Sequence, residues 1–294
     1  MERPSCAKIF FMDRKEWTLG PDDAQKRLDR VLRRILANNS QGAIESALRK
    51  GLVKVNGKKA DAAYVTKQGD LLSVASFLLS QNSLQGQAAS AATKTDPLPF
   101  DVIFENEHLL FIDKPAGISV HDGPDSVAQA FAAQKNNSLS FVSAPLHRLD
   151  KGTSGLLAVS KSAEGARWFC QKIKDHEIKK FYWGIALGRL DQTELWEDPV
   201  DGKSAKTIAT PLKRGLFEGN EITLVQYQIF TGRKRQIRSQ SAGRGLALLG
   251  DKAFGSGDGR FYLRSMRMEF PDNDLGLPPA IEAPEPQDFL AFFK

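Results

Sequence analysis

Between residues 102 and 269 the chain carries eight apolar runs of strand length, and this pattern restricts its fold more than any other feature. The runs lie at 102–104, 109–112, 145–149, 156–160, 181–187, 207–211, 222–230 and 261–269. Runs this short, interrupted by turn-forming residues, suit strands; a buried helix needs ten or more residues. Helical spacing is plain only at 162–176, where Ala166, Phe169, Cys170 and Ile173 form one stripe, with a second helix expected near Arg233. So few helices cannot alternate with every strand. The expectation is an α+β fold around a mixed sheet, without regular βαβ units.

A different pattern precedes it. Residues 16–77 read as a small α+β module. Leu28, Val31, Leu32, Ile35 and Leu36 recur at helical spacing, and Ser40 caps a second helix carrying Ile44, Ala47 and Leu48. Gly51 closes that helix, Asn56-Gly57 marks a hairpin, and Gly69-Asp70 turns the chain into the apolar run 71–74. Residues 78–97, rich in Ser, Gln, Ala and Thr, bury little and read as a flexible linker, leaving 98–294 as the main domain. The tail, 271–294, is Pro-rich and acidic until Phe289-Leu290-Ala291-Phe292-Phe293, which is expected to dock back.

Charge is unevenly placed. Residues 25–67 hold eleven Lys/Arg against three acids, a local excess of +8 in a chain whose total is +6. So one-sided a field suits a polyanion such as RNA. Cys6 and Cys170 are far apart and lack ligand spacing, which argues against a disulfide framework or zinc, and Cys170 is expected to pack in its stripe. Early charges (Glu2, Arg3, Lys8, Asp13) interrupt any signal-like run, and no stretch is long and apolar enough for a bilayer, so the expected setting is the cytoplasm. No nucleotide-cradling loop, serine elbow or metal-ligand histidine pattern is present, and no cofactor or metal is expected.

The densest polar cluster runs from Pro145 to Leu157 and holds His147-Arg148-Leu149-Asp150-Lys151-Gly152-Thr153-Ser154-Gly155. Asp150 stands where an apolar run meets a polar loop. It is either a turn aspartate bonded to its own backbone, the commoner fate, or a carboxylate presented to a cleft. Gly232-Arg233-Lys234-Arg235-Gln236-Ile237-Arg238 is either a solvated helix end or a phosphate site. Tyr182, in Lys180-Phe181-Tyr182-Trp183-Gly184, is equally a core or a site tyrosine.

Taken together, these segments resemble the RluA-like family of pseudouridine synthases. Residues 147–157 match its HRLDxxTSG signature, and 105–120 its strand-turn entry with Lys114-Pro115-Ala116-Gly117. Residues 180–188, 232–238 and 249–255 match its K-x-Y, GRxHQIR and LGDxxYG segments. Residues 16–77 resemble the S-four-type RNA-binding module that often precedes such domains.

The resemblance implies a mixed, mainly antiparallel sheet and an isomerase that moves uracil from N1 to C5 attachment on its ribose. It implies Asp150 as the catalytic carboxylate acting on a flipped-out uridine, with Arg238 holding it bidentately and Tyr182 stacked on the base. Arg148 and Arg233 are implied substrate-binding residues, and Leu249 a dry wall. The implied partner is RNA, ribosomal large-subunit RNA favoured over transfer RNA, with no membrane or metal and a monomeric chain. Departures are Arg235 for the usual His, Gly184 for Ala and Phe254 for Tyr. Two rivals are a non-catalytic RNA-binding ribosome-assembly factor and a nucleoside glycosidase-type hydrolase. The second requires two carboxylates, and Asp150 is taken as the only acid in the matched signatures.

Overall fold

The computed structural model describes residues 13–80, 99–133, 138–255, 257 and 259–294. It divides into two compact units: Met1–Asp96 with Lys135–Val142, and Pro97–Gln134 with Ser143–Lys294. Among the described residues, no helix is long and apolar enough to cross a membrane.

The first unit contains β1 (Arg14–Thr18), α1 (Leu28–Ile35), α2 (Gln41–Arg49), β2 (Val53–Val55), β3 (Lys58–Lys59), β4 (Leu71–Ala75) and α3 (Ser76–Ser80). Its strands pair antiparallel in the order β1-β4-β2-β3. The helical stripe buries Leu28, Val31, Leu32 and Leu36 against Ile44, Leu48, Val53, Leu72 and Val74. Ser40 caps α2, its hydroxyl accepting from the Ala43 amide at 3.3 Å. Asn56 (φ +50°) and Gly57 (φ +76°) supply the two left-handed residues of a tight hairpin. Residues 78–80, assigned above to the linker, instead finish α3, because Leu78 is apolar enough to be buried. The rest of the expected linker, 81–97, lies outside the described residues.

The sequence does not announce that residues 138–142 pack in this unit. Asp23 is buried and its carboxylate accepts from Ser138 Oγ (2.7 Å), the Leu139 amide (3.1 Å), the Ser140 amide (2.8 Å) and Ser140 Oγ (2.6 Å). Burial alone would raise its pKa; these donors outweigh it and hold the carboxyl below its usual range.

The second unit contains β5 (Asp101–Glu105), β6 (Leu109–Lys114), α4 (Val127–Ala132), β7 (Ser154–Ser160), α5 (Ala163–Lys174), β8 (Lys179–Leu187), β9 (Glu194–Trp196), β10 (Thr207–Phe217), β11 (Asn220–Ile229), α6 (Gln236–Gly243), β12 (Leu263–Glu269), β13 (Ala280–Glu282) and α7 (Gln287–Leu290). The sheet order is β5-β6-β7-β12-β8-β11-β10-β9, with β13 beside β12; the β7–β12 pair alone is parallel among the described strands. Alternation explains the continuous apolar runs. Leu110, Ile112, Leu157 and Val159 enter one core, whereas Leu109, Phe111, Leu156 and Ala158 enter another with Phe169 and Met268. The sheet is covered on both faces.

Three expectations need correction. The run 145–149 is no strand: only Pro145 bridges Val159, since proline brings no N–H and the chain then turns away. Cys170 is exposed, because α5 presents Ala163, Gly165 and Phe169 to the core. The second helix starts at Gln236, three residues after Arg233, with Arg235 left-handed at φ +56°. The aromatic tail does dock: Phe289 is buried with Ile185, Ile222 and Leu224, and Tyr262 meets Phe289 and Phe292 edge-on.

Candidate active site

The polar loop before β7 is held by groups that the sequence offers individually but does not connect. His147 Nε2 accepts from the Ala158 amide at 3.0 Å, and the ring stacks on Phe169 with centroids 6.0 Å apart. Burial, helped by the nearby charge of Lys180, pushes this imidazole down to about 3. It is therefore neutral at ordinary pH, with its hydrogen on Nδ1. Lys114, entirely buried, donates from Nζ to the carbonyls of Pro115 (2.8 Å), Ile118 (2.9 Å) and Lys151 (3.4 Å). Burial brings its pKa down to about 8, against the opposing pull of Asp150 and Asp113. Gly155 has φ +100°, and a Cβ there would stand 2.1 Å from the Ser265 carbonyl oxygen, so only glycine fits where β7 meets β12.

Asp150 is thereby presented, not spent on its own turn. Its backbone carbonyl accepts from the Thr153 amide, while its side chain meets Arg238 Nη1 at 3.2 Å. The expected bidentate contact of Arg238 is made with a different acid. Nε and Nη2 reach Asp251 at 2.6 and 2.7 Å, leaving Nη1 for Asp150. The guanidinium packs between the rings of Phe254 (5.1 Å) and Phe261 (4.2 Å). Burial would weaken its protonation, but the hydrogen bonds and charge of Asp251, then of Asp150, more than offset this and raise its pKa. Asp251 is wholly buried, whereas 18% of the Asp150 side chain remains exposed. One carboxylate anchors the arginine and the other faces outward.

Asp150 borders two chambers. The smaller, about 250 Å³, is lined by His147, Tyr182, Ile229, Ile237 and Leu263 among others; the larger, about 620 Å³, by Gly117, Ser119, Asp122, Gly152 and Phe261 among others. Arg148, Lys234, Arg235 and Arg238 line both, and Arg233 only the smaller. Arg233 Nε donates to the Ser204 carbonyl at 2.8 Å. Gln236, buried at the base of this loop, accepts from Thr231 Oγ1 and the Arg233 amide, and donates to the Lys206 carbonyl and Thr207 Oγ1. Tyr182 lines the smaller chamber, and burial, with Asp150 adding to it, pushes its phenol above the ordinary value.

Five of the six sequence-derived site residues thus surround one cleft. Leu249 does not line either chamber; it packs with Ile185 and Phe289, while its neighbour Leu248 enters the core shared with Tyr182. A one-residue offset sends the two leucines to opposite sides. Asp251 was missed as the partner of Arg238, although it sits in the quoted 249–255 segment. It also corrects the count of acids: two carboxylates stand beside Arg238. The glycosidase reading gains nothing from this, because Asp251 is sealed and lines neither chamber.

Known proteins resemble both parts of the chain. Residues 108–242 match the family model of RNA pseudouridylate synthase, and residues 26–72 that of the S4 domain. A ribosomal large subunit pseudouridine synthase C of Vibrio parahaemolyticus is 29% identical, with 91% of this chain and 90% of the relative covered. A ribosomal large subunit pseudouridine synthase D of Nitrosomonas europaea is 27% identical, with 82% and 72% covered. The solved human RNA pseudouridylate synthase domain containing 1 aligns with TM-score 0.54 over 67% of this chain and 87% of that one; at 19% identity this likeness concerns the fold. By these likenesses residues 108–242 form an RNA pseudouridylate synthase domain and residues 26–72 an S4 domain, and relatives that align over most of the chain are named as large-subunit pseudouridine synthases.

Proposed function

We propose that the chain converts a flipped-out uridine of structured RNA, in large-subunit ribosomal RNA, to pseudouridine, with Asp150 as the catalytic carboxylate. The single observation that carries this is the arrangement of Asp150: ionic contact to a guanidinium already anchored elsewhere, and an open side toward the cleft. A carboxylate can attack C1′, attack the pyrimidine ring, or take a ribose proton, and each route needs the same ionised oxygen. Arg238 supplies the cation beside it, and cannot swing away because Asp251 grips its other two nitrogens. Tyr182, protonated, forms the aromatic wall against which the base lies.

Flipping the nucleotide costs a few kcal/mol in lost stacking. Arg148, Arg233, Lys234 and Arg235 offset this by meeting phosphates at the mouth, and the basic S4 module adds further phosphate contacts. The names of the relatives support large-subunit ribosomal RNA as the target. The test is Asp150→Asn on total RNA from cells lacking the gene. Pseudouridine mapping should find at least one large-subunit position restored by the wild-type protein and none by the variant, with RNA affinity within a small factor. Turnover by the variant would remove Asp150 from the chemistry, and binding without turnover by the wild type would leave an assembly factor.

A further inference from the structure

Lys180 has no use in the account so far. It lies on β8 two residues before Tyr182, so both side chains leave the same face of the sheet. It lines the smaller chamber, and its Nζ is 4.0 Å from where a Cβ on Gly232 would stand. The residue is partly buried, and burial lowers its pKa with no carboxylate acting against it. Among the described residues no hydrogen bond or ion pair to Nζ is found, in contrast with Lys114, whose three donors are all taken. A desolvated cation in a cavity wall without an acceptor is costly to the folded chain unless a ligand completes it.

We propose that the Lys180 ammonium binds a ring carbonyl oxygen of the target uracil, O2 or O4, and stabilises the negative charge the base acquires during the reaction. This rests on the Asp150 reading above. When the C1′–N1 bond breaks, its electron pair leaves on N1 and spreads onto O2 and O4. Addition of the carboxylate to the ring instead places the charge on O4 as an enolate. The route through loss of a ribose proton also expels uracil as the anion. In every case the ring's electron pair goes into the new C1′–C5 bond, and the proton that C5 then loses to water is matched by one that N1 takes up, so the product is neutral; Lys180 donates a hydrogen bond while the charge is on the ring and transfers no proton. A donor aimed at developing charge in a water-poor site is a strong contributor to rate.

The surroundings favour a base over a phosphate. The chamber that Lys180 lines also holds Ile173, Ile229, Ile237 and Leu263, which suit a planar ring, whereas Arg148, Lys234 and Arg235 in the same lining are exposed, where phosphates remain hydrated. An ammonium is a donor only. It therefore fits the O4 carbonyl of uracil and opposes the amino group that cytosine carries there.

The experiment uses the full chain and total RNA from cells lacking the gene, comparing Lys180→Met, Lys180→Arg and Asp150→Asn. Lys180→Met should lower the single-turnover rate about 10²–10³-fold, the scale for one oxyanion donor. Its RNA affinity should stay within threefold and its melting temperature should match or exceed wild type, since a costly charge is gone. Lys180→Arg should recover part of the rate. A Lys180→Met rate within threefold of wild type overturns the proposal, as does an affinity loss equal to the rate loss, which would make the lysine a phosphate contact. Activity in Asp150→Asn, by contrast, strikes the underlying reading.

Discussion

Replacing Asp251 by asparagine keeps its shape and removes one charge from the most buried ionic contact in the second unit. Wild-type Asp251 is fully buried and receives two short hydrogen bonds, at 2.6 and 2.7 Å, from a guanidinium whose side chain is only 8% exposed. Breaking a buried pair by removing one partner costs about 3–5 kcal/mol, because the other charge stays behind without compensation. Asparagine retains one acceptor, and Asp150 remains at 3.2 Å, so the lower end, about 3 kcal/mol, applies. With a urea dependence of about 2–3 kcal/mol per molar, the unfolding midpoint should fall by roughly 1 M. The rate should fall too, since Arg238 is then free to turn from Asp150. Asp150→Asn breaks one longer contact at a partly exposed carboxylate and should cost about 1 kcal/mol of stability while abolishing turnover. Urea curves followed by tryptophan fluorescence, beside single-turnover assays, separate the two variants. If Asp251→Asn unfolded within about 0.5 kcal/mol of wild type, Arg238 would not depend on Asp251, and the division between an anchoring and a presented carboxylate would fail.

Other expectations follow from the same geometry. His147 is held neutral down to about 3 against an ordinary 6.5, so its contribution to stability is complete above pH 6.5 and drains away as the pH falls toward 3. Allowing for partial exposure, wild type should lose about 1–2 kcal/mol through this group between pH 7 and 5, and His147→Gln should show a correspondingly flatter pH profile in urea melts. Gly155→Ala places a methyl group 2.1 Å from the Ser265 oxygen in a left-handed conformation and should prevent soluble folding; a well-folded protein by circular dichroism would refute the close approach. Lys58→Glu with Lys59→Glu, on the exposed hairpin, should weaken RNA binding and make it less sensitive to salt, and an unchanged salt slope would clear the hairpin of phosphate contact.

Much of this architecture could be read from local pattern, and the exceptions share a cause. Runs such as 109–112 and 156–160 became β6 and β7 because apolar residues on both faces suit a covered sheet. The Asn56-Gly57 hairpin and the Ser40 cap are decided within a few residues and were legible for that reason. Long-range pairings were not. Nothing near Asp251 says that Arg238, thirteen positions away, takes both its oxygens, and nothing near Asp23 points to Ser138 and Ser140 more than a hundred positions on. Leu249 shows the limit of matching by position: a motif places a residue in order along the chain, but the side to which it turns depends on strands that pair elsewhere. Lys180 was visible only as one lysine among many. What distinguishes it is the missing acceptor, and a missing partner cannot be seen in a sequence.

The grip of Asp23 on residues 138–140 bears on how such a chain could be rearranged. By sequence order alone a cut within 81–97 separates the two halves, yet the piece carrying the active site would then take with it two serine hydroxyls, two amides and Leu139, all of which pack on the piece left behind. Each fragment would emerge with a raw patch, and an S4 domain from another protein, grafted onto residue 97, would have to bring its own acid to receive that loop. The border between modules in the primary structure is therefore a poor place for the scissors.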